Sequence, residues 1–295
     1  MRVLVSGCSG LVGRALVREL GRHGAEVVPL VRGGSGGGIT WDPRAGRFDA
    51  ARAEGFDAVA HLAGENIASR RWTAARKREI YDSRVVGTRV LAEGLSSLQR
   101  PPKVLVAASA VGFYGNSGEA ERSEGSPRGA GFLADLCADW EAACAAASAR
   151  GIRVVRLRMG LVLAPEGGAL AKILPIFRLG LGGRIGDGRQ WMSWISIHDL
   201  VRILVLSLAD DGLVGAVNAV SPQPVRNADL TAALARVLRR PAMLPVPAFA
   251  LRALLGELAD ALLLSSTRAV PRVLLERGFR FEHPQIESAL RATIG

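Results

Sequence analysis

Three glycines near the start of the chain, Gly7, Gly10 and Gly13, carry the spacing with which a backbone wraps a pyrophosphate. They lie in Gly7-Cys8-Ser9-Gly10-Leu11-Val12-Gly13, between an apolar run, Val3–Ser6, and a segment with helical spacing, Leu11–His23. Gly7 permits a tight turn, Gly10 lets the backbone approach phosphate oxygens, and Gly13 allows a helix to pack closely on a strand. The unpaired amides of the helix's first turn then face the phosphates. Gly7, Ser9, Gly10, Leu11, Val12 and Gly13 are therefore the candidate phosphate-binding residues of a dinucleotide site.

The next apolar run, Val27–Val31, ends in Arg32, and no acid follows until Asp42. An acid at this point accepts from a ribose 2′-hydroxyl, as in NAD sites. An arginine can instead clamp a 2′-phosphate through a bidentate, charge-assisted contact, so Arg32 favours NADP(H). The competing reading is a solvated cation at a strand end. Gly182–Trp194 sets Arg184, Arg189 and Gln190 among glycines beside Trp191 and Trp194. Such a loop suits a planar or anionic substrate, although a partner-binding loop uses the same residues. His198-Asp199 has acid–base chemistry available, but the pair also caps and orients a helix.

These groups need a scaffold, and the hydrophobic pattern supplies one. Val3–Ser6, Val27–Val31, Ala58–Leu62, Val104–Ser109 and Val154–Arg158 read as buried strands. Leu11–His23, Lys77–Leu98 and Leu133–Ala149 read as helices between them. The alternation predicts a Rossmann-type, doubly wound parallel sheet in an α/β fold. Beyond about Pro165 helices are expected over Ala169–Leu179, Ile197–Leu208, Asn227–Leu238, Pro247–Leu263 and Arg268–Arg277, with one strand at Val214–Val220. The predicted division is a dinucleotide-binding domain over 1–165, to which 195–220 returns. Residues 166–194 and 221–295 form a smaller, mostly helical substrate region that lids the sheet.

Composition narrows the function classes. Hydrophobic residues make up 49% and charged residues 22%, enough for a packed core. No uninterrupted apolar stretch is long enough for a membrane helix, and the first residues read as a strand, so a cytoplasmic location is expected. Cys8, Cys137 and Cys144 lack metal-site or disulfide spacing. The net charge of +11 comes almost entirely from dispersed arginines, with Lys only at 77, 103 and 172. No basic block with interleaved aromatics stands out, so a small-molecule substrate is expected, without nucleic acid or membrane.

With these residues in place, the chain resembles the extended short-chain dehydrogenase/reductases, the NAD(P)-dependent epimerase/dehydratase group. His61-Leu62-Ala63-Gly64 and Arg84-Val85-Val86-Gly87-Thr88 fit, with Arg84 where the group has Asn. It is most similar to an atypical, epimerase-like branch with its own C-terminal segment. Leu62–Ile67, Arg71-Trp72, Gly167–Lys172, Pro175–Gly183, Gly188–Ile195 and Leu244–Leu251 carry that likeness over essentially the whole chain. The resemblance implies that Leu62, Ala63 and Gly64 border the cofactor's adenosine and ribose. It implies that Glu79 and Arg84 reach towards the cofactor, with an exposed helical ion pair as the alternative. It places Val162 where backbone meets the nicotinamide carboxamide.

The departures matter as much. The group uses a Tyr-x-x-x-Lys pair, in which the lysine lowers the tyrosine pKa for proton exchange. Counting back from Glu141 puts Leu133 and Cys137 at those positions. The usual serine falls on Ala110, with Ser109 one residue away. Tyr114, just past the fourth strand, is the best remaining proton donor, with Ser109 beside it; a packed aromatic is the alternative. Three activities stay open: an NADP(H)-dependent reductase of a small carbonyl or related substrate, a non-catalytic NADP(H)-responsive regulator, and a sugar-nucleotide epimerase.

Overall fold

Val3, Leu4 and Val5 are all inaccessible to solvent, although successive strand residues point to opposite faces. A strand of this kind must be covered on both sides. A computed structural model, which describes residues 1–33 and 37–294, shows how.

The strands along the chain are β1 (Arg2–Ser6), β2 (Glu26–Arg32), β3 (Ile39–Asp42), β4 (Arg47–Phe48), β5 (Ala58–His61) and β6 (Val104–Ala110). There follow β7 (Glu121–Arg122), β8 (Arg153–Met159), β9 (Leu161–Leu163), β10 (Trp191–Met192) and β11 (Trp194–Ser196). The last are β12 (Gly215–Ala219), β13 (Val225–Arg226) and β14 (Arg268–Ala269). Eight of them form one sheet in the order β12-β8-β6-β5-β1-β2-β3-β4. Every neighbouring pair in it is parallel except β3 with β4. The chain order reverses across β1, the switch point at which such sheets bind ligands.

The helices are α1 (Leu11–Arg22), α2 (Ala74–Tyr81), α3 (Gly87–Ser96), α4 (Phe132–Ala142), α5 (Ala145–Ala149) and α6 (Gly168–Arg178). They continue with α7 (Ile197–Ala209), α8 (Asn227–Leu238), α9 (Ala248–Leu255), α10 (Arg272–Glu276) and α11 (Ile286–Ile294). Val3 and Val5 pack with Leu16 and Leu20 of α1 and Leu200 and Leu204 of α7. Leu4 and Leu105 pack on the other face with Leu91 and Leu95 of α3 and Ala147 of α5. The two-sided covering is thus met by helices on both faces. No helix among the described residues is long and apolar enough to cross a membrane.

Several expected elements are divided. The helix anticipated over Lys77–Leu98 is α2 and α3 joined by a π-helical turn, Asp82–Val86. Leu133–Ala149 splits into α4 and α5. Pro247–Leu263 breaks at Gly256, whose φ of 61° ends α9. Arg268–Arg277 is not one helix: β14 pairs with β7, and α10 starts only after Pro271, which lacks the amide a helix interior needs. β2 and β3, a strand absent from the expected set, pair in parallel over three residues, Leu30 to Arg32 against Ile39 to Trp41.

The later part of the chain builds its own small core. Leu170, Leu174 and Phe177 of α6 meet Leu230 and Leu234 of α8, Leu290 of α11 and Trp194. The final segment is also bonded to the first half at several points. Ser117 donates its amide to Ser266 O at 2.8 Å, and Thr267 Oγ1 donates to Gly115 O at 2.9 Å. Asn218 Nδ2 donates to Val270 O at 2.9 Å.

Candidate functional site: a dinucleotide cleft without a tyrosine relay

The glycine loop turns at the end of β1. Gly7 has φ 73°, and a Cβ there would lie 2.9 Å from Ala63 N and from Leu62 C. A Cβ on Gly13 would lie 2.1 Å from Gly7 O. Both glycines are required by backbone packing. Gly10 is less constrained: its φ is −74°, and a Cβ would meet only Gly7 O, at 3.2 Å. It leads directly into α1, where the amides of Leu11, Val12 and Gly13 have no partner among the described residues. With Ser9 and Gly10 exposed, these donors form an anion cradle at a helix N-terminus.

Ser6 locks the neighbouring strand exit into place. Its Oγ accepts the amides of Leu62 at 3.1 Å and Ala63 at 3.2 Å. Its proton is then free for His61 Nδ1, 2.7 Å away, which leaves the imidazole proton on Nε2. His61 is wholly buried against Trp41, and burial pushes its pKa down to about 4. Leu62 and Ala63 therefore follow a neutral, fixed histidine. Cys8, Val12, Leu62, Met159 and Val162 are half-buried and cap the core at the strand ends. Val162 sits on β9, in register with Ile195 of β11. Leu11 packs on Gly167 and Gly168, so the start of α6 stands beside the start of α1.

Arg32 ends β2 on the same side as this loop. It is largely exposed, and its Nη1 stands 3.8 Å from Glu65 Oε1. That separation is too long for a direct hydrogen bond, so the fork has no hydrogen-bond partner among the described residues. Arg84 lies within the π-helical turn, a distortion often found at functional sites. Its Nη2 donates to Glu65 O at 3.0 Å, and its guanidinium stands over Trp140 at 5.2 Å. A Cβ on Gly64 would come within 3.3 Å of the Arg84 guanidinium carbon. Desolvation lowers the Arg84 pKa, and no carboxylate pairs with it among the described residues.

Glu79 on α2 sits in a cluster of ion pairs. It pairs with Arg76 at 2.6 Å and Arg70 at 2.7 Å, which hold its carboxyl below the usual range. Arg76 is buried and donates also to Asn66 O at 2.5 Å and Ser69 Oγ at 3.1 Å. Glu79 thus braces the 65–70 loop through two arginines. The hub, Arg76, and the loop acid, Glu65, escaped the sequence reading, as did Lys172, whose Nζ donates to Ala68 O at 3.1 Å across the cleft mouth. The Glu79–Arg76 spacing of three on a helix was a usable signal; the other contacts depend on tertiary structure.

Tyr114 and Ser109 are placed away from a proton relay. Tyr114 is buried, donates to Asn218 Oδ1 at 2.8 Å and accepts from Arg158 at 3.0 Å. Burial pushes its phenol pKa up, the opposite of what a relay needs. Ser109 donates to Glu141 Oε1 at 2.7 Å, and Arg158 binds both oxygens of Glu141 at 2.7 and 2.8 Å. Both hydroxyls are engaged in a buried ion-pair network, the arrangement of the packed-aromatic alternative for Tyr114. Leu133 and Cys137 do stand on α4, facing Gly112. Leu133 joins Leu62, Met159, Leu255 and Leu262 around an apolar cluster. The Cys137 pKa is raised by burial to about 12, so it stays a thiol. His198 and Asp199 lie in the first turn of α7, but the capping residue is Ser196, whose Oγ accepts the Asp199 N–H at 3.0 Å.

A doubly wound sheet with a glycine-rich β1–α1 turn and an exposed arginine at the end of β2 defines a nucleotide-binding protein of the short-chain dehydrogenase/reductase type. Residues 3–219 match the model of the NAD dependent epimerase/dehydratase family, and the chain belongs to that family. Residues 246–293 match a domain of unknown function, DUF1731. An epimerase family protein of Mycobacterium tuberculosis is 43% identical over 290 residues, which cover 98% of this chain and 96% of that protein. Human epimerase family protein SDR39U1, crystallised with NADPH, is 36% identical with a TM-score of 0.91 over 99% of both chains. The UDP-glucose 4-epimerase of Thermus thermophilus, solved with NAD, shares the fold at 22% identity and a TM-score of 0.77, over 99% of this chain and 97% of that one.

Two outcomes follow from this geometry. Gly13→Ala should lower the melting temperature strongly, whereas Gly10→Ala should change stability by less than about 1 kcal/mol and mainly weaken dinucleotide binding. Thermal melts alongside a fluorescence titration check both. His61 takes a proton in the unfolded chain below pH 6.5 but refuses it in the folded chain until about pH 4. Stability should therefore fall as pH drops through that window, by about 1.4 kcal/mol per unit from this group, and His61→Gln should flatten the slope in urea melts.

Proposed function

We propose that the chain is an NADP(H)-dependent oxidoreductase that passes hydride to a small carbonyl or related acceptor of low polarity. The observation that carries the reading is Arg32, exposed at the end of β2 beside the glycine cradle, with no hydrogen-bond partner among the described residues and only a 3.8 Å ion pair to Glu65. A 2′-phosphate is the group that such a fork recognises at this position. The 2′-phosphate displaces the weak Glu65 contact, and Glu65 stays tethered through Arg76 at 3.5 Å. The NADPH bound to the human relative supports the same choice.

In this reading the nicotinamide end lies over Met159 and Val162, with Leu133 alongside. The bound cofactor supplies hydride, and the chain positions it. Leu133 cannot exchange a proton, and Cys137 holds its own too tightly at neutral pH. Protonation of the product then falls to solvent or to the substrate itself. Apolar walls also argue against a sugar ring, whose hydroxyls need convergent polar partners. The small-molecule substrate and a cytoplasmic location belong to this proposal.

The packing of Leu255, Leu258 and Leu262 against α4 favours a second reading, an NADP(H)-responsive regulator without turnover. The two are separated by measuring NADPH oxidation across a panel of aldehydes, ketones and quinones. Turnover supports the oxidoreductase; tight binding with no oxidation of any acceptor supports the regulator. For the cofactor, NADPH should bind more than about tenfold tighter than NADH, and Arg32→Ala should erase most of that gap, a loss of the order of 1.5–3 kcal/mol. Equal affinities in the parent protein would sink the argument. Tyr114→Phe should leave any such turnover within about twofold while costing about 1 kcal/mol of stability.

A further inference from the structure

Away from the cleft, His198 on the first turn of α7 stands beside Glu282 and His283 of the final segment. His198 Nδ1 is 3.3 Å from Glu282 Oε2, and the two imidazole rings stand 5.8 Å apart at 79°. One donor atom from each of the three residues lies within 4.8 Å of the others. A charge-assisted hydrogen bond closes to about 2.7–2.9 Å. Two ligands on one tetrahedral zinc, at bonds of about 2.0–2.1 Å, stand about 3.3 Å apart. The 3.3 Å His198–Glu282 separation is an ordinary ion-pair distance that also matches two ligands on one zinc.

The surrounding contacts hold the three residues in place. Asp199, adjacent to His198 and fully buried, accepts the amides of Glu282 at 2.9 Å and His283 at 3.0 Å. One carboxylate therefore fixes the opposing backbone in register with the helix that carries His198. Arg202 Nε stands 3.3 Å from Glu282 Oε1 as an ion pair, while Oε2 is the oxygen beside His198. Outer partners that orient a ligand in this way are typical of metal sites.

We propose that His198, Glu282 and His283 bind a zinc ion, with water as the fourth ligand. Two imidazoles and one carboxylate suit zinc, whereas calcium and magnesium want oxygen donors. The ion would join the segment matched by the epimerase model to the segment matched by the C-terminal domain, independently of the cofactor.

The test uses tag-free, full-length protein, freed of metal with a chelator, dialysed and titrated with zinc chloride by calorimetry. One zinc per chain is expected, with affinity at least about tenfold weaker in His198→Ala and in Glu282→Gln. Zinc should raise the melting temperature of the parent and not that of His198→Ala. His23→Ala, at a surface histidine elsewhere, should titrate like the parent. No saturable uptake, or uptake unchanged in His198→Ala and Glu282→Gln, overturns the proposal.

Discussion

The closeness of three backbones at Gly7 is the constraint on which the rest of the site depends. The turn out of β1, the exit from β5 and the first turn of α1 meet there with no room for a side chain at Gly7 or Gly13. Ser6 adds a hydroxyl that binds both amides of the β5 exit. The anion cradle is a result of this packing: α1 can approach β1 so closely only if its first amides are left pointing out of the sheet. The phosphate site is thus continuous with the core beneath it, and Val3 and Val5 secure its floor.

The corner where a tyrosine relay would act has been given over to structure. Glu141 and Arg158 are both buried, and taking two charges out of water is costly unless their remaining hydrogen-bonding groups are satisfied. Ser109, Tyr114 and Asn218 do this, and the Arg158 guanidinium lies 3.5 Å from the centroid of the Phe113 ring. A network so complete specifies one geometry and leaves no proton to spare. Arg84, one of the cations that act on Cys137 at the vacated lysine position, lies in the π-helical turn and donates to the Glu65 carbonyl.

Much of this was legible in the residues because it is local. The glycine spacing, the strand runs and Arg32 at a strand end are patterns within short windows, and the missing tyrosine and lysine could be counted. The π-helical turn was not legible, since Asp82–Val86 has ordinary helical composition and its extra residue is fixed by contacts with Gly64 and Trp140. Nor was the bonding of Tyr114 legible: its place past a strand end is that of a ligand-facing residue, but Asn218 lies 104 positions away. The short strand β3 was hidden because parallel neighbours ordinarily need a long crossover.

The bonds between the final segment and the first half have a consequence for how the molecule is made. Thr267 and Gly115, and Ser266 and Ser117, are partners 152 and 149 residues apart. Asn218, which also holds Tyr114, reaches Val270. During synthesis the sheet can assemble early, yet its buried polar corner stays short of partners until the last part of the chain has emerged. Until residues 266–270 are available, the seam beside β6 and β12 lacks these partners, so closing it follows assembly of the sheet. A chain that stops before residue 266 would be left permanently at that step.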